Sequence, residues 1–156
     1  GAYVPHNLVL MSDIHRLKYA MYLNNDAYEA LKKMIDAMPN EIANDFYVKE
    51  AYTSFTDLQY SNPNLAGKDE RQLGHTVSIA SKSIAYHEFE TAALSQWLEA
   101  HSYEYGFILR YPKRMASSTN HVYDAHYYRY VGKKNANKIY KENSCIEEYN
   151  QKEAAE

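Results

Sequence analysis

The sequence predicts an α+β fold in which helices pack on a small antiparallel sheet. Segments with helical and strand-like apolar spacing are mixed along the chain, and two predicted strands are each followed by a helix after a short connection. The chain has 156 residues, of which 46% are hydrophobic, and this suits one compact domain with a buried core. We therefore assign residues 1–156 to a single domain, with an N-terminal arm over 1–20 and a frayed tail over 150–156.

The first half of the chain predicts one helix and two strands. Residues 24–26 read Asn-Asn-Asp, a cluster that suits the N-terminal cap of a helix. Apolar residues then recur at helical spacing as far as Met38, and Pro39 ends the pattern. Strands are predicted at residues 46–52 and 74–80, and a turn-rich loop is predicted between them at residues 61–67.

The second half contains the clearest helix, over residues 90–103. Its apolar side chains share one face, and Gly106 stands where a glycine commonly follows a helix. A strand over residues 107–111 is expected to end before Pro112. A polar loop, a strand and a closing helix are predicted at residues 115–120, 126–131 and 133–143.

Composition and charge exclude several classes of site. The net charge is −3 without an acidic or basic block, which argues against a nucleic-acid-binding surface and a polybasic membrane patch. No stretch is long and apolar enough to span a membrane. Cys145 is the single cysteine, so an intrachain disulfide and a cysteine-based zinc knuckle are both excluded. Gly1 is typical of the residue left by tag removal, so we expect a natural targeting segment to be missing.

Several segments resemble the VanY-type zinc D-alanyl-D-alanine carboxypeptidases. Residues 105–112 read YGFILRYP, the same letters as in that family. The segments YRYVG and CIEEY, at 128–132 and 145–149, resemble the end of the family sequence. Weaker similarity covers residues 74–79, GHTVSI against GLAVDI, and residues 52–55, YTSF against YRSY. Together they lie between residues 25 and 149, and the resemblance implies a VanY- or hedgehog-like carboxypeptidase fold.

The resemblance also implies a specific chemistry. In the family, two histidines and one aspartate hold a zinc ion and leave a position for water. Zinc lowers the pKa of that water to roughly 7 and polarises the scissile carbonyl. A glutamate serves as general base, and an arginine of the YRS segment stabilises the oxyanion. The reaction removes the terminal D-alanine from the peptide stem of the cell wall.

The positions that carry this chemistry hold other residues in this chain. Anchored on Gly74 and the YVG segment, the three zinc-ligand positions fall on Arg71, Ser78 and Tyr127. The base position falls on Asp124, and the oxyanion arginine position falls on Thr53. Because arginine offers no lone pair to a metal, we expect no zinc and no catalytic residue. The expected ligand-binding set is therefore Arg71, Ser78, Asp124 and Tyr127.

Two further questions about this site remain open from sequence. His75 and His126 lie one residue from useful positions, but neighbouring strand residues point to opposite faces, so a rebuilt zinc site would need a bulge. The alternative is that both histidines are packed or face solvent. Arg71 either pairs with Asp124 through two parallel hydrogen bonds, with Tyr127 beside them, or points into solvent.

Three functions are compatible with these observations. The first is a pseudoenzyme that keeps the VanY-type scaffold and binds peptidoglycan stem peptide, the ligand class implied by the resemblance. The second is an active cell-wall carboxypeptidase with a rebuilt metal site. The third is a structural, partner-binding module of a larger envelope protein. All three predict a location outside the cell or in the envelope of a bacterium.

Overall fold

A computed structural model of the chain describes residues 5–155. The first four residues of the predicted N-terminal arm, Gly1 among them, and the last residue of the predicted tail lie outside this range. The arm contributes strand β1 (Leu8–Leu10), which pairs antiparallel with β2 (Tyr22–Asn24). Met11, from the same arm, is fully buried. The arm is therefore part of the packed structure.

The main sheet contains four strands and is antiparallel throughout. In spatial order it comprises β3 (Phe46–Glu50), β4 (Thr76–Ser81), β6 (Asp124–Tyr130) and β5 (Phe107–Tyr111). All four strands were predicted from sequence to within two residues at each end. The predicted α+β class with a small antiparallel sheet is confirmed.

Seven α-helices surround the sheet within residues 5–155. They are α1 (Asn25–Ala37), α2 (Asn40–Asp45), α3 (Phe55–Ser61), α4 (Ala93–His101), α5 (Ala116–Thr119), α6 (Lys133–Lys141) and α7 (Ile146–Ala155). Short 3-10 helices cover Glu70–Leu73, Tyr86–Thr91 and Ser102–Tyr105. Asn24 caps α1 as the sequence predicted, because its side-chain oxygen accepts the N–H groups of Asp26 and Ala27.

Helices α2 and α3 were not predicted from the sequence, and three further regions differ from the prediction. The helix predicted from residue 90 is divided, and α4 begins only at Ala93, after the 3-10 helix Tyr86–Thr91. The loop predicted at 115–120 contains α5, and the tail predicted to fray after Tyr149 is helical to Ala155. None of these segments has a regular apolar stripe, so hydrophobic periodicity could not reveal them.

The core lies on one face of the sheet. There Val77, Ile79 and Tyr128 pack with side chains of α1 and α4 such as Leu31 and Leu98. Trp97 is partly buried against this cluster, as expected for the helix that was predicted to cover the sheet. Since strand side chains alternate between faces, Thr76, Ser78, Tyr127 and Arg129 lie on the opposite face.

A smaller cluster covers part of that opposite face. Ile108 of β5 packs there with Ala136 and Ile139 of α6. The remainder of the face carries polar and charged side chains, and it contains Ser78 and Tyr127, two of the positions that the sequence singled out.

Candidate functional site

Strand pairing and one short helix bring three of the predicted site residues together. Ser78 of β4 lies directly opposite Tyr127 of β6 in the sheet register. Arg71 lies in the 3-10 helix Glu70–Leu73, which ends at Gly74 just before β4. Gly74 has a φ of +79°, a left-handed conformation that suits glycine and turns the chain into the strand.

The Arg71 guanidinium is held by two carboxylates. Its Nε donates to both oxygens of Asp69, at 3.0 and 3.1 Å, and its Nη2 donates to Asp69 Oδ2 at 2.6 Å. Its Nη1 donates to Glu50 Oε2. Hydrogen bonding to Asp69 is the main cause that raises the pKa of Arg71, although burial acts against it. Arg71 is therefore a permanent cation in the middle of the site.

Tyr127 completes the same cluster. Its hydroxyl donates to Glu50 Oε2 at 2.9 Å, the oxygen that also accepts from Arg71. Burial raises the pKa of Tyr127 far above its ordinary value, and the Glu50 charge adds to this effect. The phenol thus stays protonated and serves as a hydrogen-bond donor. We call Arg71, Glu50, Asp69 and Tyr127 the Arg71 cluster.

Glu50 reaches this cluster because β3 contains a bulge. Val48 pairs with Ile79, and Glu50 pairs with Ser78, which is adjacent to Ile79 in β4. Two steps along β3 therefore match one step along β4, so β3 contains one extra residue. Without the bulge Glu50 would share the core-facing side of Val48. Sequence reasoning missed Glu50 for this reason, and its only local signal was a charged residue at the end of a predicted strand.

The predicted pairing between Arg71 and Asp124 is wrong. Arg71 forms its ion pairs with Asp69 and Glu50, while Asp124 Oδ1 accepts the backbone N–H of His126 at 2.9 Å. The reason is that two nearer carboxylates already satisfy the guanidinium, one of them only two residues away. The predicted position of Tyr127 beside Arg71 agrees with the structure.

Thr53 and Ser78 flank the Arg71 cluster. The backbone N–H of Thr53 donates to the carbonyl of Arg71 at 3.3 Å, while the Thr53 hydroxyl faces Ala51 O at 3.4 Å. Ser78 is fully buried, and its Oγ makes no hydrogen bond of 3.5 Å or less among residues 5–155. Burial raises the pKa of the Tyr86 phenol, while the neighbouring Ser78 hydroxyl acts against this effect.

The two histidines that neighbour the ligand positions are not part of the cluster. The His126 ring is buried between Tyr86 and Phe89, with centroid distances of 3.7 and 4.5 Å. Its Nδ1 lies 2.7 Å from Ile79 O, and its Nε2 lies 2.8 Å from Tyr86 O. His75 is half-buried before β4, and burial lowers its pKa. His126 is thus packed on the core side of the sheet. This agrees with the alternative in which the histidine is packed and does not rebuild a zinc site.

The residues at the ligand positions do not fit a zinc ion. A guanidinium presents only N–H donors, and the two carboxylates nearest to it, those of Asp69 and Glu50, already accept its hydrogen bonds. Within residues 5–155 no group of three or more His, Cys, Asp or Glu side chains is arranged to hold a metal.

Comparison with known proteins gives a consistent family relationship. Residues 59–133 match the family model described as VanY, D-alanyl-D-alanine carboxypeptidase. A D-alanyl-D-alanine carboxypeptidase of Enterococcus faecalis (strain ATCC 700802 / V583) is 34% identical over 124 residues, which cover 78% of this chain and 44% of the relative. The chain spans less than two thirds of the length of the curated relatives it matches.

Solved structures show the same fold. The LdcB LD-carboxypeptidase superposes with a TM-score of 0.84 and 28% identity, covering 96% of this chain and 79% of that chain. A vancomycin-resistance D,D-pentapeptidase VanY, in complex with Zn(II), gives a TM-score of 0.69 and 26% identity, with 94% and 92% covered. In the part of the chain from 5 to 155, none of the helices is of a length and apolarity that would cross a membrane.

Proposed function

Because the chain carries a VanY-type D-alanyl-D-alanine carboxypeptidase domain, we propose that it is a non-catalytic member that binds peptidoglycan stem peptide. In this proposal the domain acts at the bacterial cell surface or in the envelope and uses no zinc. The cell-wall location follows from its relatives, one of which is named a D-alanyl-D-alanine carboxypeptidase.

One observation carries the loss of catalysis, namely the Arg71 cluster. Arg71 stands at the position of the first zinc ligand, with its charge fixed by Asp69 and Glu50. A divalent cation beside this guanidinium would be repelled, and the nearby carboxylates would have to leave Arg71 to bind it. Tyr127 adds a protonated hydroxyl where the family has a histidine. The cluster therefore replaces the metal with hydrogen bonds between protein groups.

The same cluster supports binding of a peptide. Three of the five N–H donors of Arg71 are used by Asp69 and Glu50, which leaves two for a ligand. The terminal carboxylate of a stem peptide is an acceptor of the right kind. Since Glu50 and Asp69 together outweigh the single charge of Arg71, we expect the binding to be weak.

Metal analysis of the purified protein, paired with a D-alanine release assay, tests the loss of catalysis. The substrate is a stem pentapeptide ending in D-alanyl-D-alanine, and the E. faecalis relative serves as the active control. We expect substoichiometric zinc, no D-alanine release after zinc is added, and no change in Tm with a chelator. Stoichiometric zinc with turnover would instead establish the active carboxypeptidase with a rebuilt metal site.

Isothermal titration with the same pentapeptide tests the binding half of the proposal. We expect saturable binding that weakens by about tenfold in Arg71→Gln, the effect of losing one charged hydrogen bond. Arg114→Gln is the matched control, because Arg114 is exposed and lies outside the Arg71 cluster. An absence of binding and of turnover in the folded protein would reject the stem peptide and favour the envelope-partner module.

A further inference from the structure

A cavity of about 380 Å³ is lined by none of the residues of the Arg71 cluster and belongs to no part of the proposed function. It is bounded by β6, the start of α6 and α7. Its polar and charged lining residues are His75, Arg129, Tyr130, Asn135, Tyr149 and Asn150. No aspartate or glutamate lines it, although the chain as a whole carries a net charge of −3. Its volume is within the range of small-molecule sites.

Arg129 enters this cavity with an incomplete set of partners. Its Nη1 is 3.5 Å from Glu70 Oε1, but that carboxylate is already bound at 2.9 and 3.0 Å by the Nε of Arg110. The Nε of Arg129 is buried and has no hydrogen-bond partner among the described residues. The Arg129 side chain is 25% exposed and lines the cavity, so an oxyanion there would give its guanidinium a second anionic partner besides Glu70.

His75 brings a second nitrogen-bearing side chain to the same wall. It is half-buried, and burial followed by the positive charge of Arg129 lowers its pKa, while Asp26 acts weakly in the other direction. Both His75 and Arg129 line the cavity, so both side chains border the space that a ligand would occupy. An anion bound between them would remove their mutual repulsion when the ring is protonated.

The start of α6 faces the cavity as well. Gly132 lines it with a φ of +85°, and a Cβ built at this position would meet nothing within 4 Å. No side chain caps the helix, and its first turn contains two lysines and no acidic residue. The first N–H groups of a helix lack partners within the helix and attract negative charge, so this end is electrostatically uncompensated.

We propose that the cavity between β6 and α6 binds an oxyanion, a phosphate or carboxylate group carried by a small molecule or polymer, through Arg129, His75 and the N-terminus of α6. Arg129 supplies the charge, and the backbone beside Gly132 admits the ligand closely because no side chain intervenes. This site is separate from the Arg71 cluster, so it stands even if the protein proves to be an active carboxypeptidase.

Titration of the full chain with inorganic phosphate, followed by amide and histidine ring NMR shifts, tests the proposal. We expect saturable shifts at residues 132–135 and at the His75 ring. Arg129→Gln should weaken phosphate binding by about tenfold or more, since a charged hydrogen bond is lost. Arg114→Gln, which makes the same charge change at an exposed position elsewhere, should bind phosphate like the wild type.

If Arg129→Gln fails to fold, a second variant still tests the proposal. Asn150→Asp places a carboxylate at the exposed edge of the cavity and should also weaken phosphate binding, whereas Gln151→Glu adds the same charge just outside it. Glycerol phosphate and acetate then distinguish a phosphate-bearing source from a carboxylate-bearing one. Unsaturable shifts, or equal losses in the cavity and control variants, would overturn the proposal.

Discussion

Two arginines on the same face of the sheet are each held by two carboxylates, but the two clusters are built differently. Arg110 donates from Nε to both oxygens of Glu70 and from Nη1 and Nη2 to Glu147, at 2.9 and 2.7 Å. It thereby ties β5 to the 3-10 helix before β4 and to α7. In contrast, Arg71 takes one carboxylate from two residues away, Asp69, and one from β3, Glu50.

The difference indicates which cluster is the scaffold. The Arg110 side chain is 8% exposed and lies in the segment YGFILRYP, whose letters are those of the VanY-type family. Arg71 is 17% exposed, and the resemblance aligns it with a zinc ligand of the family. The first cluster joins segments far apart in sequence, so it specifies the fold. The second fills a position that the fold already provided.

Replacing Arg110 by leucine should give the largest loss of stability. Glu147 would remain partly buried without its cation, and Glu70 would keep only the 3.5 Å contact with Arg129, so we expect a loss of about 3–5 kcal/mol in the free energy of unfolding. Urea denaturation measures it. In the control Lys113→Gln the exposed pair with Glu90 is lost, and the change should stay within about 0.5 kcal/mol. A loss that small for Arg110→Leu would remove its scaffold role.

Exchanging the Arg71 cluster for metal ligands should produce the next largest effect. The triple variant Arg71→His, Ser78→Asp and Tyr127→His should bind zinc, and zinc at 100 times its Kd should stabilise the fold by about 2.7 kcal/mol. Activity should also require Asp124→Glu and Thr53→Arg, which restore the base and the oxyanion donor.

Metal analysis and the rise in Tm with added zinc measure the binding by the triple variant, and a chelator should reverse the rise. The double variant without Ser78→Asp is the matched control and should bind zinc more weakly. A folded triple variant that takes up no zinc would show that these positions were assigned wrongly.

Arg71→Leu should destabilise the protein by about 1–3 kcal/mol, less than the change at Arg110. Glu50 and Asp69 would lose their shared cation, but the Arg71 side chain is 17% exposed against 8% for Arg110, so water can replace more of its interactions. Adding Glu50→Gln to this variant should recover part of the loss, because one unpaired charge is removed. Urea denaturation of the single and double variants measures the coupling, and strict additivity would contradict the pairing.

Lowering the pH should weaken the Arg110 cluster, with a smaller effect on the free energy of unfolding than the substitutions above. Burial works against ionisation of Glu147, but its hydrogen bonds to Arg110 outweigh this, and the pKa of Glu147 lies below its ordinary value. A carboxylate with a lowered pKa in the folded state stabilises the fold above its unfolded pKa, and this contribution is lost as the pH falls through the folded value. Urea midpoints measured from pH 6 down to pH 3 should therefore fall less steeply in Glu147→Gln than in the wild type.

Much of the fold could be predicted because its signals are local. The capping side chain of Asn24, the apolar spacing in α1 and the alternation in β4 are each contained in a few neighbouring residues. The short helices α3 and α5 were missed, since each has too few residues to show an apolar pattern of its own. The helical tail after Tyr149 was missed for the same reason.

The amino-acid sequence by itself determined the α+β class and the strands of the sheet, and it predicted that Arg71, Ser78 and Tyr127 replace three ligand positions, which stays a prediction. Only the tertiary structure decided which carboxylates hold Arg71. The bulge in β3 turns Glu50 to the face of Ser78, and this depends on the register between strands that are distant in sequence. Local propensity cannot fix such a register, because one extra residue moves a side chain to the other face.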